Sequence, residues 1–207
     1  MGGMGYSAET PMQSAWRDTR IARIYEGTNE INRMLSVGML IKKAMKGQLD
    51  LIGPATAVGE ELLGIPDFAI PDFSEPLSQE THILKNLKKV FLMIAGAGVQ
   101  KYGTELEEHQ QLLLAVADIL IEVYMAESAV LRAEKNVGVF GLEAQEHQVA
   151  LSQLYLNQAV EKISTKGREA ILGFAEGDEQ KTLLMGLKRF TKYMEYPNVI
   201  ALRNKVA

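Results

Sequence analysis

The sequence predicts an all-α protein that ends in an antiparallel helical bundle. Three observations lead there. Apolar residues recur at spacings of three and four through long stretches of the chain, the signature of helices with one buried face. No stretch of useful length alternates apolar and polar residues as a half-buried strand would. Four long helical patterns follow residue 78 with only short connections between them, which favours antiparallel neighbours.

The elements follow in order. Thr10 and Pro11 read as a helix start, a capping hydroxyl and then proline at the first helical position. That helix is expected to pass Trp16 and Ile21 and to end near Ile24. The stretch "RIARIYEGTNEINR" (residues 20–33) breaks it at Tyr-Glu-Gly-Thr and begins another, capped by Thr28 or Asn29. In this second helix Ile31, Met34, Leu35, Gly38 and Met39 fall on one face. Lys42, Lys43 and Lys46 sit at its negative end, and Gly47 stops it. Residues 53–76 hold four prolines and two "PDF" segments, and no lysine or arginine lies between Lys46 and Lys85. This reads as an acidic linker, with one short helix over residues 55–63. A long helix is expected over 78–101, with Leu84, Leu87, Phe91, Ile94 and Gly98 facing a core. Thr104 and Glu107 have capping-box spacing and predict a helix to about residue 136 that buries Leu113, Ala117, Leu120, Ile121 and Tyr124. A third spans about 142–172. A fourth, capped by Asp178, reaches about 195. Division into 1–49, a linker at 50–77 and a bundle at 78–207 follows.

The chain has 207 residues, a net charge of −4 and no cysteine. Disulfides, thiolate metal sites and cysteine nucleophiles are thereby excluded. A surface without strong basic character argues against nucleic acid. No apolar run is long enough to span a bilayer, and residues 1–5 lack the basic start and apolar run of a signal peptide.

Few side chains qualify for chemistry. His109 and His147 each follow a glutamate (Glu105, Glu143) by four residues. A carboxylate-bridged metal pair in a bundle uses Glu-x-x-His, so these read as solvated helix pairs and no metal is expected. "GGMGYSA" (residues 2–8) loosely fits a nucleotide-binding glycine pattern but lacks the strand that pattern requires. Its glycines can still let backbone approach a ligand closely. Ala95, Gly96, Ala97 and Gly98 lie within a helix and suit a tight helix crossing. Glu26 stands out. It lies at a break between two helices, before a residue without a side chain and a capping threonine. That serves as a turn, and it also suits a base beside an unhindered backbone.

"GGMGYSAETPMQSAWRDTRIARIYEGTNEINRML" (residues 2–35) resembles the C-terminal signature of the flavin-dependent acyl-CoA dehydrogenases. A glycine-rich Gly-Gly-x-Gly-Tyr segment, a proline-started helix with Arg-Asp, Ile-Tyr-Glu-Gly-Thr and a helix with an arginine occur in family order and spacing. The glutamine that precedes the glycines in the family is missing. The family oxidises acyl-CoA thioesters at the α,β bond in fatty-acid oxidation, using FAD and passing electrons to electron-transfer flavoprotein. The resemblance implies that Glu26 removes the α-proton, that its N–H helps hold the thioester oxygen, and that Gly27 lies against substrate. Thr28, Asn29 and Glu30 would line the flavin site. Gly2 and Gly3 would pack near the adenosine part of FAD, usually from a neighbouring subunit. Arg17, Asp18 and Arg33 match family positions and read as structural.

By this resemblance the chain is the C-terminal part of a longer enzyme and is inactive alone. Its continuation past residue 49 is similar to the helical extension of the very-long-chain type, a homodimer, most visibly over residues 112–135. Such an enzyme is expected in the cytoplasm of a bacterium, or in the matrix or on the inner membrane face of a mitochondrion. The acidic 49–80 segment predicts weak membrane attachment or none, with Phe68 and Phe73 packed on the protein's own surface. A competing reading, from a different class, is a non-catalytic helical module for dimerisation or membrane attachment.

Overall fold

The computed structural model describes residues 1–64 and 71–207, so Phe68 lies outside the described residues. Within these the chain forms α-helices and short 3-10 turns, with no strand. The helices are α1 (Met12–Ile21), α2 (Asn29–Met45), α3 (Ile52–Leu63), α4 (Ser78–Tyr102), α5 (Gln110–Phe140), α6 (Glu146–Phe174), α7 (Gly177–Phe190) and α8 (Val199–Val206).

Side-chain pairs give the direction of each helix. Along α5 and α6, Asn136 meets Gln148, Glu122 meets Lys162 and Asp118 approaches Lys166. One partner number falls as the other rises, so the two run antiparallel. Lys88 pairs with Glu127 and Gly98 lies against Leu112, so α4 and α5 are also antiparallel. Glu80 meets Gln153 and the Lys101 ammonium donates to the Phe174 carbonyl, which sets α4 parallel to α6. This is the up-and-down bundle the sequence predicts. Its centre is apolar: Leu87, Ile94, Ile119, Leu156, Ile163 and Ile171 are fully buried. All five residues expected on the core face of α4 are buried.

Glycines set the closest approaches. A Cβ on Gly98 would lie 3.3 Å from Leu112 Cδ2, and one on Gly96 3.4 Å from Ala55 Cβ, so the small stripe in α4 does permit tight crossings. A Cβ on Gly186 would sit 2.6 Å from Leu62 Cδ2 and 2.7 Å from Met93 Sδ, closing the junction of α3, α4 and α7. At that junction Glu61 binds both Lys89 (2.8 Å) and Arg189 (3.2 Å). The helix inside the acidic segment is therefore docked on the bundle and is longer than expected.

Several local expectations differ from the structure. The Thr10 hydroxyl does not cap α1; it donates backwards to the carbonyls of Met4 (2.9 Å) and Ser7 (3.2 Å), and α1 ends at Ile21. Thr104 and Glu107 do not open α5. Residues Gly103–Glu108 form a 3-10 turn, Tyr102 stacks on His109 with ring centroids 3.5 Å apart, and α5 starts at Gln110. Helix α5 runs past residue 136 to Phe140 and ends at Gly141, whose φ of 83° is left-handed. Glu176 rather than Asp178 precedes α7, and α8, capped by Asn198, was not expected.

The buried face of α2 also differs. Val37 and Ala44 are buried, with Met34, Leu40 and Ile41 packed against the core. Ile31 and Leu35 are 52% and 55% exposed. Helix α2 is apolar on two faces, and periodicity alone does not tell which one the bundle takes. On α5, Leu113 and Ala117 are buried as expected, whereas Ile121 and Tyr124 are exposed.

Candidate active site

The turn joining α1 to α2 is built from unusual backbone. Glu26 has φ 55° and Gly27 φ 88°, two successive left-handed residues. A non-glycine side chain in that region is uncommon and costs about 1 kcal/mol, so neighbouring contacts must hold it. The Asn29 N–H closes the turn by donating to the Arg23 carbonyl at 3.1 Å. Thr28 is the N-cap of α2, its Oγ1 accepting from the Ile31 N–H at 3.3 Å. Asn32, one turn into the helix, reaches back and donates its Nδ2 hydrogen to the Gly27 carbonyl at 2.8 Å. A Cβ on Gly27 would stand 2.7 Å from Asn32 Oδ1. The missing side chain at Gly27 thus has an internal cause: the backbone is left-handed and the amide of Asn32 fills the place a methyl would take.

The turn exposes Glu26. Among the described residues its carboxylate enters no ion pair or hydrogen bond. Glu30, in the first turn of α2, is held below the usual carboxylate range. Its own backbone N–H is the largest cause, followed by the Thr28 hydroxyl, with Arg33 and Arg23 adding attraction. The predicted residues Glu26, Gly27, Thr28, Asn29 and Glu30 are thus brought together in one turn. Gly2 and Gly3 are not part of it. They form a separate 3-10 turn before α1, with nothing within 4 Å of a Cβ on either.

Helix α2 is fixed to the bundle by an ion pair and by its apolar face. Arg33 Nη1 donates to Asp118 Oδ1 on α5 at 2.6 Å, both side chains being largely covered. Val37 is fully buried in the core. Arg33 is structural in this sense, as expected; Asp118 and Asn32 carry no signal that singles them out in the sequence. Beside this pair, α5 and α6 form an open groove of about 470 Å³ lined by Asp118, Glu122, Glu161, Lys162 and Lys166. Its lysines are matched by carboxylates, Lys162 with Glu122 and Lys166 with Glu169, each at 2.8 Å.

The histidines are apart from the turn. His109 stacks on Tyr102, and His147 is exposed. His82 lies 3.1 Å from the Asn86 amide and edge-on to Phe73, with its pKa lowered by burial and then by Lys89 and Lys85. Among the described residues no group of three or more His, Asp or Glu is placed to hold a metal.

A family model described as the C-terminal domain of acyl-CoA dehydrogenases matches residues 86–189, and a second of the same description matches residues 1–39, including the Glu26 turn. The crystal structure of an acyl-CoA dehydrogenase complexed with FAD from Bacillus anthracis is similar with a TM-score of 0.91 and 37% identity, over 99% of this chain and 34% of that one. A probable acyl-CoA dehydrogenase of Bacillus subtilis is 38% identical over 210 residues, covering 100% of this chain and 34% of its own length. The mitochondrial very-long-chain specific acyl-CoA dehydrogenase of Rattus norvegicus is 25% identical over 217 residues, 94% of this chain and 31% of that protein. The chain spans about a third of the length of these relatives. With residues 1–39 and 86–189 both matching C-terminal domains of that family, the chain belongs to the acyl-CoA dehydrogenase family.

Proposed function

We propose that this chain carries the base of a flavin-dependent acyl-CoA dehydrogenase acting in fatty-acid β-oxidation, in the manner of the very-long-chain type. The observation that carries the reading is the left-handed pair Glu26–Gly27 at the start of α2. It presents a carboxylate beside a backbone without a side chain. Glu26 would take the α-proton of the thioester: the C–H bond breaks, the carboxylate gains the proton, and the electron pair spreads onto the thioester oxygen. A hydrogen bond from the Glu26 N–H to that oxygen would stabilise the charge as it forms. Gly27 would lie against the substrate through its backbone, the place of a Cβ being taken by the Asn32 amide.

The residues fit FAD. Thr28, Asn29 and Glu30 lie at the positive end of α2, and Gly2 and Gly3 offer bare backbone with no atom within 4 Å of a Cβ. When bound, FAD supplies an acceptor for the β-hydrogen as hydride. Electron-transfer flavoprotein as the acceptor and a homodimer as the assembly belong to the same reading, supported by family membership.

The test is Glu26→Gln in the longer, flavin-loaded enzyme. Shape is kept and basicity lost, so kcat is expected to fall at least ~100-fold while acyl-CoA still binds. Near-normal turnover would overturn the assignment. The 207-residue chain alone is expected to remain colourless when mixed with FAD and desalted; a yellow stoichiometric complex would count against its inactivity in isolation.

A further inference from the structure

We propose that Asn32 is a positioning residue for the base: its side-chain amide clamps the Gly27 carbonyl and so holds Glu26 in its left-handed conformation. The inference rests on the reading of Glu26 as the base. Four observations support the clamp. Glu26 is one of only two non-glycine residues with positive φ among the described residues, at 55°, so it is held by its surroundings rather than by preference. Asn32 Nδ2 donates to Gly27 O at 2.8 Å across five residues, a link no helix makes by itself. Asn32 Oδ1 occupies the space a Gly27 side chain would fill, 2.7 Å from an ideal Cβ. Asn32 is rigid at its own root, because its N–H donates to the Thr28 carbonyl at 2.9 Å and α2 is tied to the bundle by Arg33 and Val37.

The chemistry explains why a clamp matters. Proton abstraction requires the carboxylate oxygen within hydrogen-bond reach of the α-carbon proton, and an error of about 1 Å can cost ~100-fold in rate. Freed from Asn32, the turn can relax Glu26 to negative φ, which swings its side chain away. Asn32 touches neither reacting atom in this account; it acts through the Gly27 peptide.

The test uses three variants of Asn32, with Glu26→Gln as the control, in the longer, flavin-loaded enzyme, and Asn32→Ala also in the 207-residue chain. Asn32→Ala is expected to lower kcat roughly tenfold or more, with KM changed less than about threefold. The primary isotope effect with α-deuterated acyl-CoA should rise, because proton abstraction becomes more rate-limiting. Asn32→Gln keeps a donor and should recover most of the rate; Asn32→Asp cannot donate and should behave like Ala. In the 207-residue chain, Asn32→Ala should speed hydrogen exchange at the Asn29 amide, which closes the turn on Arg23 O, at least about tenfold. Wild-type kcat, isotope effect and exchange in Asn32→Ala would overturn the proposal. So would a rate lost only in step with lost flavin. Glu26→Gln keeps the two ideas separate: if that variant is inactive while Asn32→Ala is normal, the base stands and the clamp falls; if Glu26→Gln is active, the base reading itself falls.

Discussion

Removing the Asp118 carboxylate should loosen the helix that bears the proposed site. Arg33 Nη1 and Asp118 Oδ1 are 2.6 Å apart, with the side chains 29% and 24% exposed. A fully exposed ion pair contributes ~0–1 kcal/mol, whereas a covered hydrogen bond to a charged group contributes about 1.5–3. This pair lies between those limits, so a coupling of about 1–2 kcal/mol is expected. Two features push it upward. The buried Arg33 Nε has no hydrogen-bond partner, so the guanidinium depends on its Nη contacts. Asp118 also faces Lys166 Nζ at 3.9 Å, so its removal takes a carboxylate from between two cations and leaves Arg33 only the distant Glu30, 3.9 Å away. Asp118→Ala should therefore cost about 2 kcal/mol, and Asp118→Asn less, because an acceptor remains. Urea unfolding of the 207-residue chain, followed by far-ultraviolet circular dichroism, measures both. A double-mutant cycle with Arg33→Met isolates the pair. A coupling below about 0.3 kcal/mol would refute the idea that this bridge anchors α2. A change in m-value would instead show that the variant no longer unfolds in two states.

Residues 78–207 made alone should remain helical and unfold cooperatively. Loss of buried Val37 and Val58 should cost about 2 kcal/mol each. A fragment with no cooperative transition would show that α2 and α3 are integral to the bundle. Stability should fall as pH drops below about 6.5, the ordinary histidine value, because burial and nearby lysines lower the His82 pKa and the unfolded chain takes the proton first. His82→Gln should flatten that slope, and an unchanged slope would clear His82 of the role. Binding to anionic liposomes should be weak, since residues 47–84 hold no lysine or arginine and Phe73 packs edge-on to His82 at 5.7 Å. Strong sedimentation abolished by Phe68→Ser with Phe73→Ser would contradict this.

The bundle was legible because long helices repeat their signal. The α4 face from Leu84 to Gly98 appears five times over, and all five residues are buried. Short-range signals were less reliable. Thr104 and Glu107 have the right spacing for a cap, but the Tyr102–His109 stack draws the chain into a 3-10 turn first. Helix α2 was legible in extent and not in facing, because it is apolar on two faces and tertiary contacts choose Val37 over Ile31. The Glu26 turn was recognisable from its residues, and Thr28 caps as read. Asn32 was not, because its role lies in a contact back across five residues that no pattern encodes.

The protein has one tryptophan, Trp16, which stands 71% exposed on α1, away from the core of the bundle. Its indole emission is therefore a natural reporter of a particular kind. Melting of the bundle should leave its wavelength almost unchanged, since the ring is already in water. Anything that covers α1 should shift the emission to the blue and shield it from iodide or acrylamide quenching. Titrating candidate domains or subunits against this single signal would measure docking without a label, and would separate association from folding in one cuvette.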